Sequence, residues 1–382
     1  MSPERAAGAA SGGARVVAER LRAQLLVGRP ARDALSVTRR LLAVQAQDPR
    51  GARLAIRVRS KARSAADVDE ALSEERSLLI TWLNRGTLHL VASEDYGWLH
   101  ALTTPPLLTG NARRLAQEGV SQAAAERGVR AIVDALAAEG PLSRAQLRER
   151  IAAARVPTDG QALVHVLMLS TLRGLTVRGP MLGSDHAYVL VADWLGEQAP
   201  VARERALAEL ARRYLAGHAP AGERDLARWA GLPLRDARAG LTAIAPELRE
   251  RRDGLLEPVT HGGVAVPALP PPRLLGAFDP LLLGWCSREE IVGQNKTLVT
   301  NNGLFRPFAL VRGKAVASWR LAAGKITLEP FGRLARGERE ALDAEAEDVL
   351  GYLAGTVGTG KRRSTARAQT AGARQVTRRA SA

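Results

Sequence analysis

The chain has a single cysteine, Cys286, among its 382 residues. One thiol cannot close an intramolecular disulfide or build a cysteine-rich zinc site. It lies beside Trp285 in an apolar stretch, the setting of a packed sulfur rather than a nucleophile. Histidines are sparse too. His89, His100, His165, His186, His218 and His261 never stand at i, i+4 around a glutamate, so no metal site is expected. No Gly-x-Ser-x-Gly elbow is present. No apolar run approaches the ~18 residues of a membrane span, and the first residues carry Glu4 without the apolar stretch of a secretion signal. The expectation is a cytoplasmic protein without metal, cofactor or membrane anchor. Gly355-Thr356-Val357-Gly358-Thr359-Gly360-Lys361 fits the first seven positions of a phosphate-binding P-loop. Arg362 follows where Ser or Thr is needed, and neither a preceding strand nor a following helix would aim the loop, so this match is rejected.

Positive charge is what the chain has in excess. Lys plus Arg number 55 against 39 acids, a net charge of +16, with a pI near 11.1. Seven of these charges fall in the acid-free stretch 361–382, which leaves +9 on the body. That balance matches proteins that bind nucleic acid. Abundant arginine with abundant alanine also follows from GC-rich coding, so charge alone does not decide. The length suits two or three compact units, and 46% apolar residues suffice for their cores.

Residues 1–13, rich in Ala, Gly and Ser, read as a disordered terminus. Helices are expected over 14–26, from an Asp33 N-cap to Leu42, and over 65–75. Two strands, Leu78–Trp82 and Thr87–Ala92, flank the turn Asn84-Arg85-Gly86. Helices followed by a short hairpin form the pattern of a winged helix. It recurs at Gln122–Leu190 and again from Glu223 to Val259. The expected fold is mainly α with β-wings, an α+β protein of three tandem winged helices over 14–120, 121–197 and 198–352. The last of these includes a β-rich portion after the Pro-rich hinge Pro267–Pro272, with a hairpin across Arg312-Gly313 and a closing helix, Glu338–Leu353. Residues 353–382 read as a basic disordered tail.

The most informative segment is Val44-Gln45-Ala46-Gln47-Asp48-Pro49. Pro49 disfavours helix at Asp48, so the preceding helix should stop near here. On an extended segment Gln45 and Gln47 face the same way, with Ala46 opposite. Two neutral amides so placed can hold one water or grip one base edge without adding charge. A glutamine at a helix end is also commonly a solvated residue or a backbone cap, and spacing does not separate these roles. Arg85 and His89 could contact phosphate, or belong to a hairpin with no further role. Asp279 and the Trp319-Arg320 pair fit structural anchors as well as site residues.

Taken together, Val44-Gln45-Ala46-Gln47, Trp82-Leu83-Asn84-Arg85-Gly86-Thr87-Leu88-His89-Leu90, Leu275-Gly276-Ala277-Phe278-Asp279-Pro280 and Phe305-Arg306-Pro307 through Trp319-Arg320 resemble the AlkZ-type winged-helix DNA glycosylases. The likeness runs in order over about residues 15–352. It implies a C-shaped, monomeric protein whose basic concave channel holds double-stranded DNA, and which excises bulky N7-alkylated purines. Some family members also unhook interstrand crosslinks made by genotoxic natural products. Gln45-Ala46-Gln47 corresponds to the family's glutamine-aliphatic-glutamine motif, with Ala46 smaller than the usual middle residue. Gly276 stands where a proline often precedes the family's Phe-Asp. The resemblance makes Gln45 and Gln47 the catalytic pair; Arg85, His89, Arg306, Arg312 and Arg320 are the candidate DNA contacts, with Trp82 and Asp279 in support and Asp48, beside Pro49, either assisting or capping a helix. It places the protein at the nucleoid. Two rival expectations are a non-catalytic winged-helix regulator and a housekeeping glycosylase for small alkylpurines.

Overall fold

The structure, a computed structural model, describes residues 3–261, 269–293, 295–300 and 303–355. Residues 356–361 of the P-loop-like match, 356–382 of the expected tail and part of the Pro-rich hinge lie outside the described residues; 353 and 354, expected in the tail, end a helix.

The chain opens with α1 (Pro3–Ala23), α2 (Ala34–Leu41), β1 (Val44–Gln45), α3 (Pro49–Arg57), α4 (Ala66–Ser73), β2 (Leu78–Leu83), β3 (Thr87–Ala92), α5 (Tyr96–Thr103) and α6 (Pro105–Gln117). Helix α1 begins well before the expected residue 14, so most of the segment read as disordered is helical. Ala6, Ala7, Ala9 and Ala10 favour this extension of a helix nucleated downstream, against the cost of Gly8, Gly12 and Gly13. Next come α7 (Gln122–Glu139), α8 (Arg144–Ala153), α9 (Ala162–Leu172), β4 (Thr176–Leu182), β5 (Asp185–Leu190) and α10 (Val191–Leu195). Then α11 (Arg203–His218), α12 (Glu223–Ala230), α13 (Leu234–Ala243), β6 (Leu248–Glu250) and β7 (Leu256–Pro258). The chain closes with β8 (Arg273–Leu275), α14 (Glu289–Val292), β9 (Phe308–Val311), β10 (Lys314–Ala322), β11 (Lys325–Pro330) and α15 (Arg336–Ala354).

One order recurs: helix, short strand or bridge, two helices, hairpin. In its first occurrence β1 pairs with β3 of the β2–β3 hairpin. In the second, Leu142 between α7 and α8 bridges to Tyr188 of β5. In the third, Ala221 between α11 and α12 bridges to Leu256 of β7. The first two hairpins are not free wings. Strand β2 pairs with β4 at Ile80↔Arg178, which fuses them into one antiparallel sheet ordered β1-β3-β2-β4-β5. Every residue of β2 is therefore buried.

Side-chain alternation along this sheet separates two cores. Leu79, Leu83, Val91, Val177 and Val189 pack on one face with α11, α12 and Trp285. Val44, Ala46, Ile80, Trp82, Leu88 and Leu90 pack on the other with α7, α8 and α9. A second sheet, ordered β11-β10-β9-β8, lies against α15 and forms a third core with Trp319, Leu342 and Tyr352. Its β9–β10 hairpin turns at Arg312-Gly313, both at positive φ, as the two-residue turn expected there requires.

Candidate functional site

Helix α2 runs from its Asp33 N-cap to Leu41, one residue short of the expected Leu42 and well before Pro49. Leu42 takes φ +65°, which breaks the helix and turns the chain into β1. Pro49 instead starts α3 at a position where a missing N–H costs nothing. Asp48 is its N-cap: the carboxylate accepts the Gly51 N–H at 2.8 Å. The glutamine segment is thus held extended between two helices. Ala46 N–H donates to Leu88 O at 2.7 Å. Val44 and Ala46 are buried in one core, which leaves Gln45 and Gln47 on the opposite side.

The two amides differ in exposure. Gln45 is 5% exposed, whereas Gln47 is open to solvent. Gln45 Oε1 has no hydrogen-bond partner among the described residues. An amide oxygen so buried costs about 1–3 kcal/mol unless a water or substrate group meets it. Across the sheet Gln45 pairs with His89, and His89 pairs with Thr81, so the three side chains form one row on one face. Among the described residues, Thr81 Oγ1, Thr87 Oγ1 and both polar atoms of the Asn84 carboxamide also lack hydrogen-bond partners.

His89 stands ready for no phosphate. It is 3% exposed, with Nδ1 2.9 Å from Thr87 O. Burial, then the charge of Arg85, depresses its pKa to about 3. The imidazole is neutral near pH 7 and has no charge to offer DNA, contrary to the role expected for it. Arg85 is half-buried in the β2–β3 turn, and its Nη1 donates to Trp229 O at 2.7 Å and to Arg228 O at 3.2 Å. The turn thereby caps the C-terminal end of α12, where cations are favoured. Gly231, at φ +68°, follows α12 because a Cβ there would lie 2.8 Å from Asn84 O. Burial and then repulsion from Arg228 and Arg288 lower the pKa of Arg85.

The supporting residues are structural. Trp82 packs in the core, its ring under the Arg178 guanidinium at 4.8 Å. Asp279 is fully buried in an ion pair with Arg59, at 2.7 and 2.9 Å, and Gln24 Oε1 accepts a further Arg59 bond. This pair fastens the Leu275–Pro280 segment to the end of α3, the helix that Asp48 starts. Gly276 lies so close to Gly51 that a Cβ would come within 2.8 Å of its Cα, which explains a glycine at this position. Arg306, Arg312 and Arg320 are exposed on the far sheet and its approach. Arg312 and Arg320 reach Glu338 and Glu329 only at 3.5 Å, exposed pairs that a phosphate can displace. The structure thus gathers Gln45, His89 and Arg85 on neighbouring elements, and puts Arg312 and Arg320 on the β9–β10 hairpin of the second sheet and Arg306 beside Phe305.

Residues 38–352 match the AlkZ-like DNA glycosylase family. The chain belongs to that family. The interstrand DNA cross-link repair glycosylase of Streptomyces sahachiroi is 26% identical over 374 aligned residues, covering 87% of this chain and 94% of the relative. The solved structure of Streptomyces sahachiroi DNA glycosylase AlkZ superposes with a TM-score of 0.73 at 25% identity, covering 89% of this chain and 96% of that one. The mixed α+β architecture expected for an AlkZ-like protein is shared with it. As a member of this family the chain is a DNA glycosylase, a hydrolase of N-glycosidic bonds in DNA repair. No helix among the described residues is long and apolar enough to cross a membrane.

Nothing in the sequence pointed to Thr81 as a member of the polar row, to the unpartnered Thr87 and Asn84 side chains near it, or to Arg228 and Arg288 near Arg85. Only the pairing of β1, β2 and β3, and the docking of their turn on α12, bring these residues together.

Proposed function

We propose that this chain is a monofunctional glycosylase that releases bulky N7-alkylguanine, with Gln45 and Gln47 orienting the attacking water. The observation that carries this reading is the unpartnered, buried Oε1 of Gln45, on the same side of β1 as the exposed Gln47. Glycosidic cleavage passes through an oxocarbenium-like state that needs a water on the far face and stabilisation of the sugar. Alkylation at N7 makes the base cationic, so it departs without a proton from the enzyme, and no general acid is needed. An uncharged amide pair beside a neutral His89 suits that chemistry. A bifunctional enzyme would need an amine nucleophile. The chain's lysines, Lys61, Lys296, Lys314, Lys325 and Lys361, all lie outside β1, β2 and β3.

In this reading the three recurring units are winged helices, the protein acts as a monomer, and the β9–β10 hairpin with Arg306, Arg312 and Arg320 contacts the DNA backbone. An open basic groove would reach adducts too large for the snug pocket of base-flipping enzymes. Unhooking of crosslinks, by which the same hydrolysis would serve the cross-link repair named for the relative, is an extension of this reading. The test uses a duplex carrying one N7-benzylguanine, followed by alkali to cut abasic sites. Cleavage is expected only after alkali, and faster than with N7-methylguanine. No cleavage with either substrate contradicts the catalytic reading, and preference for the methyl adduct contradicts the bulky one.

A further inference from the structure

Three arginines converge where the β2–β3 turn meets α12, and none lies within 4.0 Å of a carboxylate among the described residues. Arg85 comes from the turn, and Arg228 from the last turn of α12. Arg288 follows Cys286, a residue tied to α12 by Cys286 N–H to Asp225 Oδ1 at 2.8 Å and Cys286 Sγ to Arg224 O at 3.3 Å. Arg288 donates Nε to Leu282 O at 3.0 Å and lies over the Phe305 ring at 5.2 Å. The nearby acids are engaged elsewhere. Asp225 also accepts Gly222 N–H, and Glu290 accepts the Ser287 hydroxyl. Arg85 and Arg288 are half-buried, and the charge of Arg228 bears on both. Partly desolvated like charges repel, and a fold keeps them together at a cost unless an anion joins them.

We propose that Arg85, Arg228 and Arg288 form a seat for one phosphate of the strand carrying the base to be excised. The seat adjoins the reacting residues, because Arg85 lies in the turn that leads into β3, where His89 Nδ1 meets Thr87 O at 2.9 Å and His89 pairs directly with Gln45. A phosphate there neutralises the cluster and fixes the deoxyribose next to Gln45. Guanidinium groups suit this task, since each offers several N–H donors to phosphate oxygens. The seat joins the first and third repeats, so both must be in register to make it. The claim of adjacency to the excised base rests on the glycosylase reading; the existence of the seat does not.

The test uses the full chain and the double variant Arg228→Gln/Arg288→Gln, leaving Arg85 to cap α12. Binding of undamaged duplex is measured against salt. One phosphate contact contributes a slope of about 0.9 in log K against log salt, so the variant should lose about that much, and Arg336→Gln, far along the chain, nothing. An unchanged slope, or a loss of about 1.8 from two separate contacts, overturns the seat. Should Arg288→Gln unfold the protein, Arg228→Glu alone puts a carboxylate in the seat and should lower the slope similarly. Next, single phosphates around N7-benzylguanine are replaced by uncharged methylphosphonate. At one position beside the lesion the wild-type single-turnover rate should fall at least tenfold while the double variant, already slow, does not change. Equal sensitivity of both proteins at every position overturns the placement. If wild type excises nothing, the glycosylase reading fails, and the salt slopes still judge the seat.

Discussion

At the scale of single residues, catalysis in this account depends on groups that do not titrate near neutral pH. Gln45 and Gln47 carry no charge at any pH, and burial holds His89 neutral down to about pH 3. The single-turnover excision rate should therefore be flat between pH 5.5 and pH 9, measured under saturating enzyme. A bell-shaped profile would instead reveal a working acid or base. Gln47→Ala should slow excision at least tenfold while DNA affinity stays within about threefold, because Gln47 is exposed and packs no core. Equal losses of rate and binding would reassign Gln47 to DNA contact.

At the scale of elements, the site is held by contacts between segments far apart in the chain. Arg59 and Asp279 are 220 residues apart and fully buried together. Asp279→Ala strands the Arg59 charge and should cost about 3–5 kcal/mol of stability, read as a lowered urea midpoint. A loss below about 1 kcal/mol would show that water reaches the guanidinium and satisfies it. The paired amides were legible in the sequence because apolar Val44 and Ala46 alternate with them, and alternation signals an extended segment. The β2–β3 and β9–β10 hairpins were legible for a related reason: turn residues at fixed positions between apolar runs are local information. The cause of the helix end was not legible, since a leucine at φ +65° follows no turn rule and only tertiary packing imposes it. Nor was the fusion of two hairpins into one sheet. Each reads as complete alone, and pairing at Ile80↔Arg178 depends on the surrounding cores. That fusion buried His89 and half-buried Arg85, so His89 became a neutral row member and Arg85 caps a helix as well as offering charge to a phosphate.

At the scale of the whole molecule, three buried histidines link stability to pH. His89, His186 and His218 all have pKa values depressed to about 3, with burial the leading cause. In the unfolded chain they take up protons near the ordinary value of 6.5. Their contribution is thus fully present above pH 6.5 and is lost as pH falls from there toward pH 3. Each histidine can contribute up to about 1.4 kcal/mol per pH unit within that window. The unfolding midpoint in urea should fall steadily from pH 7 to pH 5, and His186→Asn should flatten the dependence by about one proton. A midpoint independent of pH would mean that these histidines protonate in the folded state. Such acid sensitivity concerns folding and not the chemical step, which is why the two pH profiles separate.

The most direct test of the central claim is the single-turnover rate of base release from an N7-benzylguanine duplex by wild type and by Gln45→Ala/Gln47→Ala. Both are measured at protein concentrations that saturate the DNA. Wild type should release the base readily and the variant should lose at least a hundredfold in rate, with both proteins folded and binding DNA alike. A variant within threefold of an active wild type would contradict the claim.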